Sequence, residues 1–346
     1  MIVCFPTYAR RLPGQRRWRA TVAGMVSRPL PQRSHRRTLA IGVIKRLLEL
    51  DDAQIQSEVF QRRADAFLFQ RVAGARVRIV IGDRRIDVGL SDRVGHFLQS
   101  ADFDEDEVRS IAVAQSTPAG HGRWLAYEAL LDDDEATGGE RPVAGRIQFI
   151  EDEGLSVISD IDDTIKVSNV AHKRELLANT LVREFAAVPG MPELYRRWQA
   201  TGTAFHYVSA SPWQLATCLS GFLHDVGLPS GSMHLKLFRL KDSTPLGRLP
   251  SRKRSKRRII EQIMGDFPSR RFLLVGDSGE RDPEVYTAVA RRHPHRVAGV
   301  AIRQVEGRPS REKVRSRLDR LARRLPGRGF HVFTEADELD AIVPRG

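Results

Sequence analysis

The stretch that decides the fold runs Leu155-Ser156-Val157-Ile158-Ser159-Asp160-Ile161-Asp162-Asp163-Thr164-Ile165-Lys166-Val167-Ser168. Its first five residues form a strand-like run with Leu155, Val157 and Ile158 as the apolar positions, and an acidic cluster comes immediately after. A short apolar run bounded by a turn signal is the pattern of a buried strand. Downstream, similar runs occupy Phe205–Ser209, Phe272–Val275 and Val297–Ile302. Helical spacing fills the gaps at Trp213–Val226, Lys256–Met264 and Pro283–Arg292. Between the first two runs, Arg174–Phe185 and Pro192–Ala200 are also helical in pattern. Alternation of this kind predicts an α/β domain with a doubly wound parallel sheet in three layers. Such sheets place their chemistry at the carboxyl ends of the strands.

The residues at those strand ends therefore matter most. After the first strand come Asp160 to Thr164; after the second, Ser209 and Ser211; after the third, Gly276-Asp277-Ser278-Gly279-Glu280-Arg281-Asp282. A basic segment, Arg252–Arg258, precedes the third strand. Each piece alone has an ordinary explanation. An acidic cluster is a solvated loop or a cap, and Ser commonly caps helices. Gly-Asp is a turn. Asp282 before Pro283 reads as an N-cap with Pro at the first helical position. Their order, each at a strand end, points to phosphoryl transfer. One carboxylate attacks phosphorus and a second acid handles the leaving group and water. Magnesium takes carboxylates and waters, and a cation with a hydroxyl holds the phosphoryl oxygens.

These motifs resemble the haloacid dehalogenase superfamily. The resemblance makes Asp160 the nucleophile and Asp162 the general acid/base, within D-x-D-x-T ending at Thr164. Ser209 matches the hydroxyl motif, with Ser211 competing. Lys256 matches the phosphate-holding lysine, with Lys253 as the alternative. Asp277 and Asp282 match the acidic pair of the last motif. Magnesium would be held by Asp160, Asp277, Asp282 and the backbone carbonyl of Asp162. The strings SDIDDTIKVS (Ser159–Ser168), FHYVSASPWQL (Phe205–Leu215) and FLLVGDSGERDPEVY (Phe272–Tyr286) are similar to the actin-patch-associated phosphatidate phosphatase family. That likeness covers Gly154–Tyr286 and, faintly, Arg19–Leu50. It implies conversion of phosphatidate to diacylglycerol. Phe238–Arg258 departs from the family by being longer and more basic.

The N-terminal part reads mainly as β and forms a smaller domain over 1–150, with the phosphatase domain over 151–346. Arg76–Ile81 and Arg85–Leu90 are expected strands around a Gly82-Asp83 turn, with further strands at Trp124–Leu131 and Arg146–Ile150. Asp132–Glu135 with Gly138-Gly139 marks a loop between the last two. Thr38–Leu50 has helical spacing. It suits packing against the β-domain, with a membrane surface as the rival partner. Cys4–Arg10 fits the C-x-x-x-x-x-R pattern of tyrosine phosphatases, but no strand–loop–helix context surrounds it.

Composition bounds the rest. The 346 residues carry a net charge of +13, which attracts phosphate in some form. Most of the basic residues are Arg rather than Lys, and GC-rich codon usage explains such a charge equally well. Two cysteines support neither a disulfide framework nor a zinc site, so a reducing cytoplasm is expected. No apolar run reaches the length of a membrane span, and Met1–Gly14 lacks the apolar core of a signal peptide. The expected partner is a phosphorylated substrate, a lipid on a peripheral anionic membrane before nucleic acid. The rivals are a phosphatase for soluble, protein or nucleic-acid phosphate ends, and a basic lipid- or nucleic-acid-binding module.

Overall fold

The computed structural model describes residues 1–31, 33–115, 123–132, 141–170, 172–236, 252–305, 311–325 and 329–342. Two compact units emerge. One comprises Met1–Val43, Ala64–Asp152 and Gly231–Met233; the other comprises Ile44–Arg63, Glu153–Ser230 and His234–Gly346.

The N-terminal strands are β1 (Ile2–Phe5), β2 (Thr7–Arg11), β3 (Arg17–Pro29), β4 (Phe69–Arg71), β5 (Arg76–Ile81), β6 (Arg84–Leu90), β7 (His96–Asp104), β8 (Arg123–Leu131) and β9 (Val143–Phe149). They form one nine-stranded sheet in the order β1-β3-β2-β9-β8-β5-β6, with β4 and β7 pairing β3. The expected hairpin is present: β5 and β6 pair antiparallel around Gly82-Asp83. The core of this unit is built by alternation. Along β3, Trp18, Ala20 and Val22 are buried while Arg17 and Arg19 face out. Trp18 meets Phe149 edge-on at 5.3 Å and donates its indole N–H to the buried Glu105 at 2.8 Å. Cys4 lies inside β1 and Arg10 inside β2, so the C-x-x-x-x-x-R pattern forms no phosphate loop. Residues 133–140, the expected glycine-containing loop, lie outside the described residues.

Helices of the first half are α1 (His35–Leu48), α2 (Asp52–Gln56), α3 (Glu58–Phe67) and α4 (Glu105–Ala114). The second half contains β10 (Leu155–Ser159), α5 (Lys173–Leu181), α6 (Met191–Ala200), β11 (Ala204–Pro212), α7 (Ala216–Asp225), β12 (Ser232–Lys236), α8 (Arg252–Asp266), β13 (Arg271–Asp277), α9 (Asp282–Arg292), β14 (Val297–Arg303), α10 (Arg311–Ala322) and β15 (Gly329–Phe333). Six strands form a sheet in the order β12-β11-β10-β13-β14-β15. β10 runs parallel to both neighbours, and the β13–β14–β15 pairings are parallel as well. The chain steps from β10 outward through β11 and β12, then returns to the other side of β10 as β13. That reversal is a topological switch point, where open α/β sheets leave a crevice at the strands' carboxyl ends. Val157, Ile158, Phe205, Leu274, Val300 and Ile302 are almost fully buried, which explains the continuous apolar runs. Among the described residues, no helix is long and apolar enough to cross a membrane.

Candidate active site

The turn after β10 builds the site. Asp163 adopts a left-handed backbone, φ 54°, which short polar side chains tolerate best. Its carboxylate locks that turn by accepting the amides of Ser168, Asn169 and Val170 at 2.7–2.8 Å. From β14, Arg303 donates to the Asp163 carbonyl at 2.9 Å. The chain is thus held so that Asp160, at the mouth of β10, stays 2 % exposed.

Asp160, Asp277 and Asp282 are all buried, and one carboxylate oxygen from each lies within 4.8 Å of the others. Lys256 reaches across from α8 and donates to Asp160 at 2.7 Å and to Asp282 at 2.6 Å. Burial works against the Lys256 charge, but Asp160 and Asp282 more than offset it and keep an ammonium. Burial, together with the neighbouring carboxylates, pushes Asp160 upward against the pull of Lys256. Asp277 is likewise pushed up by burial and by Asp282. Asp277 spends one oxygen on the amides of Gly279 and Glu280, at 2.5 and 3.1 Å. Its other oxygen, and Asp282 Oδ2, have no hydrogen-bond partner among the described residues. Buried carboxylate oxygens left without donors are expensive. Converging acidic oxygens of this kind suit a hard divalent cation.

Asp162 has separate surroundings, and its carboxylate is not part of the three-carboxylate cluster. One oxygen accepts from Lys166 at 2.9 Å and from Ser168 at 2.6 Å. The other accepts from Ser211 at 2.6 Å and Ser209 at 3.1 Å. Burial pushes Asp162 up, but Lys166 and these hydroxyls win and bring it down to about 2. Both serines therefore converge on the same carboxylate, and the Ser211 amide donates to Ser209 Oγ at 2.9 Å. They lie within the last residues of β11, which runs on to Pro212, rather than after it.

Thr164, also expected in the site, is fully buried in the turn, and its hydroxyl has no partner among the described residues. Lys253 sits in the first turn of α8, and its side chain is outside the described residues, as is the whole of 237–251. Asp282 is not the N-cap of α9. Arg281 takes that place and Asp282 is the first helical residue, because its carboxylate is drawn to Lys256 instead of capping. Several supporting residues are not singled out by the sequence pattern. Lys166 and Ser168 belong to the motif string, and the i,i+4 spacing of Asp162 and Lys166 is the available signal. Arg317 on α10 fixes the acidic loop by donating to the carbonyls of Ser278 and Glu280 and to Glu284.

Residues 155–304 match the family model described as "Phosphatidate phosphatase APP1, catalytic domain". Among curated proteins, the chain is 27% identical over 260 residues to Phosphatidate phosphatase APP1 of Saccharomyces cerevisiae, covering 72% of this chain and 41% of that protein. It is 32% identical over 163 residues to an uncharacterized protein of Schizosaccharomyces pombe, covering 46% of this chain and 26% of that protein. The matched stretches thus cover less than half the length of either relative.

Proposed function

We propose, because residues 155–304 belong to the phosphatidate phosphatase APP1 catalytic-domain family, that this protein is a haloacid-dehalogenase-like phosphatase that converts phosphatidate to diacylglycerol. The observation that carries the reading is the buried Asp160–Asp277–Asp282 cluster, with two carboxylate oxygens lacking donors, gathered around the Lys256 ammonium.

In this reading Asp160 attacks phosphorus, the P–O bond to the leaving group breaks as its oxygen takes a proton from Asp162, and an aspartyl-phosphate forms on Asp160. Lys256 neutralises phosphoryl oxygens as charge builds on them. Ser209 and Ser211 supply hydroxyl donors to the same group. When phosphate takes up those hydroxyls, Asp162 loses two of its four donors. Its proton affinity then rises, which the acid role requires in the first step. In the second step Asp162 takes a proton from the water that opens the acyl-phosphate. Asp160, Asp277, Asp282 and the Asp162 carbonyl would hold magnesium, which would neutralise phosphoryl charge.

Phosphate release from phosphatidate, nucleotides and DNA ends, measured for wild type and Asp160→Asn, tests the proposal. Phosphatidate should be the best substrate and the variant should be silent with its fold intact, since the amide cannot form the acyl-phosphate. Turnover by Asp160→Asn removes the nucleophile assignment. Preference for nucleotides or DNA ends removes the lipid assignment.

A further inference from the structure

We infer that α1 is a docking element that lies in the surface of an anionic phospholipid bilayer. Leu39, Val43 and Leu47 are 70%, 66% and 57% exposed. Each lies four residues beyond the last, so the three stand in one row along an unbroken helix. Apolar side chains on a helix face normally serve a core; these do not.

The charges around the row set the partner. No acidic residue occurs between His35 and Leu48. Arg37 is buried and paired with Asp65, and Lys45 pairs with Asp52 at 2.5 Å. Arg36 and Arg46 are exposed, three residues before Leu39 and three after Val43, which puts them on the flank of the row. Neither forms an ion pair among the described residues. A narrow apolar row with flanking arginines is how a helix lies in an interface plane: leucines enter the acyl boundary while guanidinium groups meet lipid phosphates. Nucleic acid would use the arginines and leave the leucines in water. The chain's net charge of +13 favours the same anionic surface. Docking depends on the helix alone; that the docked protein then meets its substrate rests on the proposed lipid phosphatase activity.

Flotation of the full chain with phosphatidylcholine vesicles, with and without phosphatidylserine, tests this. Phosphatidylserine is chosen so that the active site does not itself hold the vesicle. Leu39→Gln, Val43→Gln and Leu47→Gln together should weaken binding to the anionic vesicles about a hundredfold. Arg36→Gln with Arg46→Gln should weaken it about thirtyfold at low salt. All should keep wild-type circular dichroism and wild-type turnover of a soluble phosphate ester. Equal binding by the triple variant and wild type overturns the inference, as does equal wild-type binding to neutral and anionic vesicles. A wild-type dimer that the triple variant dissolves also overturns it, since a second copy then covers the row. Docking and activity fail separately. Vesicle docking without phosphate release from any phosphatidate sinks only the activity. Release from detergent-dispersed phosphatidate, with triple-variant docking unchanged, sinks only the docking.

Discussion

Lys166 reaches Asp162 at 2.9 Å within a single turn of chain, and both residues are buried. The pair is closed further by Ser168, which accepts from Lys166 and donates to Asp162. Removing one member of a buried pair strands the other charge. Lys166→Met should therefore destabilise the protein by about 3–5 kcal/mol, read by urea denaturation. It should also move the pH profile of turnover upward, because Asp162 loses the cation that holds it down. A variant as stable as wild type, with the same profile, would show that Lys166 does not set the state of Asp162.

Gly276 precedes Asp277 at the end of β13, and no side chain fits there. A Cβ would lie 2.4 Å from Asp282 Oδ2 and 2.7 Å from the Tyr286 ring. Gly276→Ala should cost about 1–3 kcal/mol of stability through overpacking. The loss of turnover should be larger than that instability explains, because the Asp282 carboxylate is the group displaced. Thermal unfolding and soluble-ester kinetics check both; a fully active Ala variant contradicts the crowding.

Asp277 Oδ1, like Asp282 Oδ2, has no donor among the described residues, so it is free to meet a cation. Asp277→Asn should raise the magnesium needed for half-maximal turnover by about tenfold or more, with calcium unable to substitute because it prefers longer, looser coordination. Titrating magnesium into chelator-treated protein measures this. Unchanged turnover in the chelated wild type would remove the metal from the mechanism.

The site is legible in the sequence where chemistry adjoins strand ends. Asp160 directly follows β10 and Asp277 ends β13, where the apolar runs placed them, because a buried parallel strand leaves a clear apolar signature; Ser209 lies inside the longer β11 and Lys256 on α8. Lys256 and Lys253 cannot be separated by sequence, since residues three apart on a helix share a face; the structure shows Lys256 in contact with Asp160 and Asp282, and the Lys253 side chain lies outside the described residues. β3 is hidden for another reason. Its Ala20, Ala23 and Gly24 carry no strand signal, and the strand is held by pairing with β1, β2, β4 and β7, which local pattern does not reveal.

His206 lies fully buried in β11, and burial holds it well below its usual value of 6.5, with His234 and Arg270 adding to the effect. The unfolded chain takes up a proton near 6.5 that the folded chain refuses. Stability is then fully present above 6.5 and falls as pH drops below it, by about 1.4 kcal/mol per pH unit for one such histidine. His234, pushed down to about 4 by burial, steepens the loss over the same range. Urea unfolding from pH 7.5 to about 5 reads the slope, and His206→Gln should flatten it. A slope unaffected by that change would place the acid sensitivity elsewhere.

The basic segment at the start of α8 separates into roles by geometry. Lys256 is committed to Asp160 and Asp282, whereas Arg257 turns to Glu261 one helical turn on, with two contacts of 3.0 Å. Arg257 and Glu261 are about a third exposed, and such a helix pair is worth about 0.3–0.5 kcal/mol. Arg257→Gln should therefore leave turnover and stability close to wild type. In the proposed mechanism Lys256 is the cation that meets the transferring phosphoryl group, so Lys256→Met should lower kcat by about 10²–10³ on both phosphatidate and a soluble ester, since the loss occurs at phosphorus and not at the lipid tails. Magnesium should offset part of its stability loss by replacing the missing positive charge among the three carboxylates. Stability with and without magnesium, alongside kcat on both substrates, checks this. A Lys256→Met enzyme that turns over either substrate at the wild-type rate would return the phosphate-holding role to Lys253.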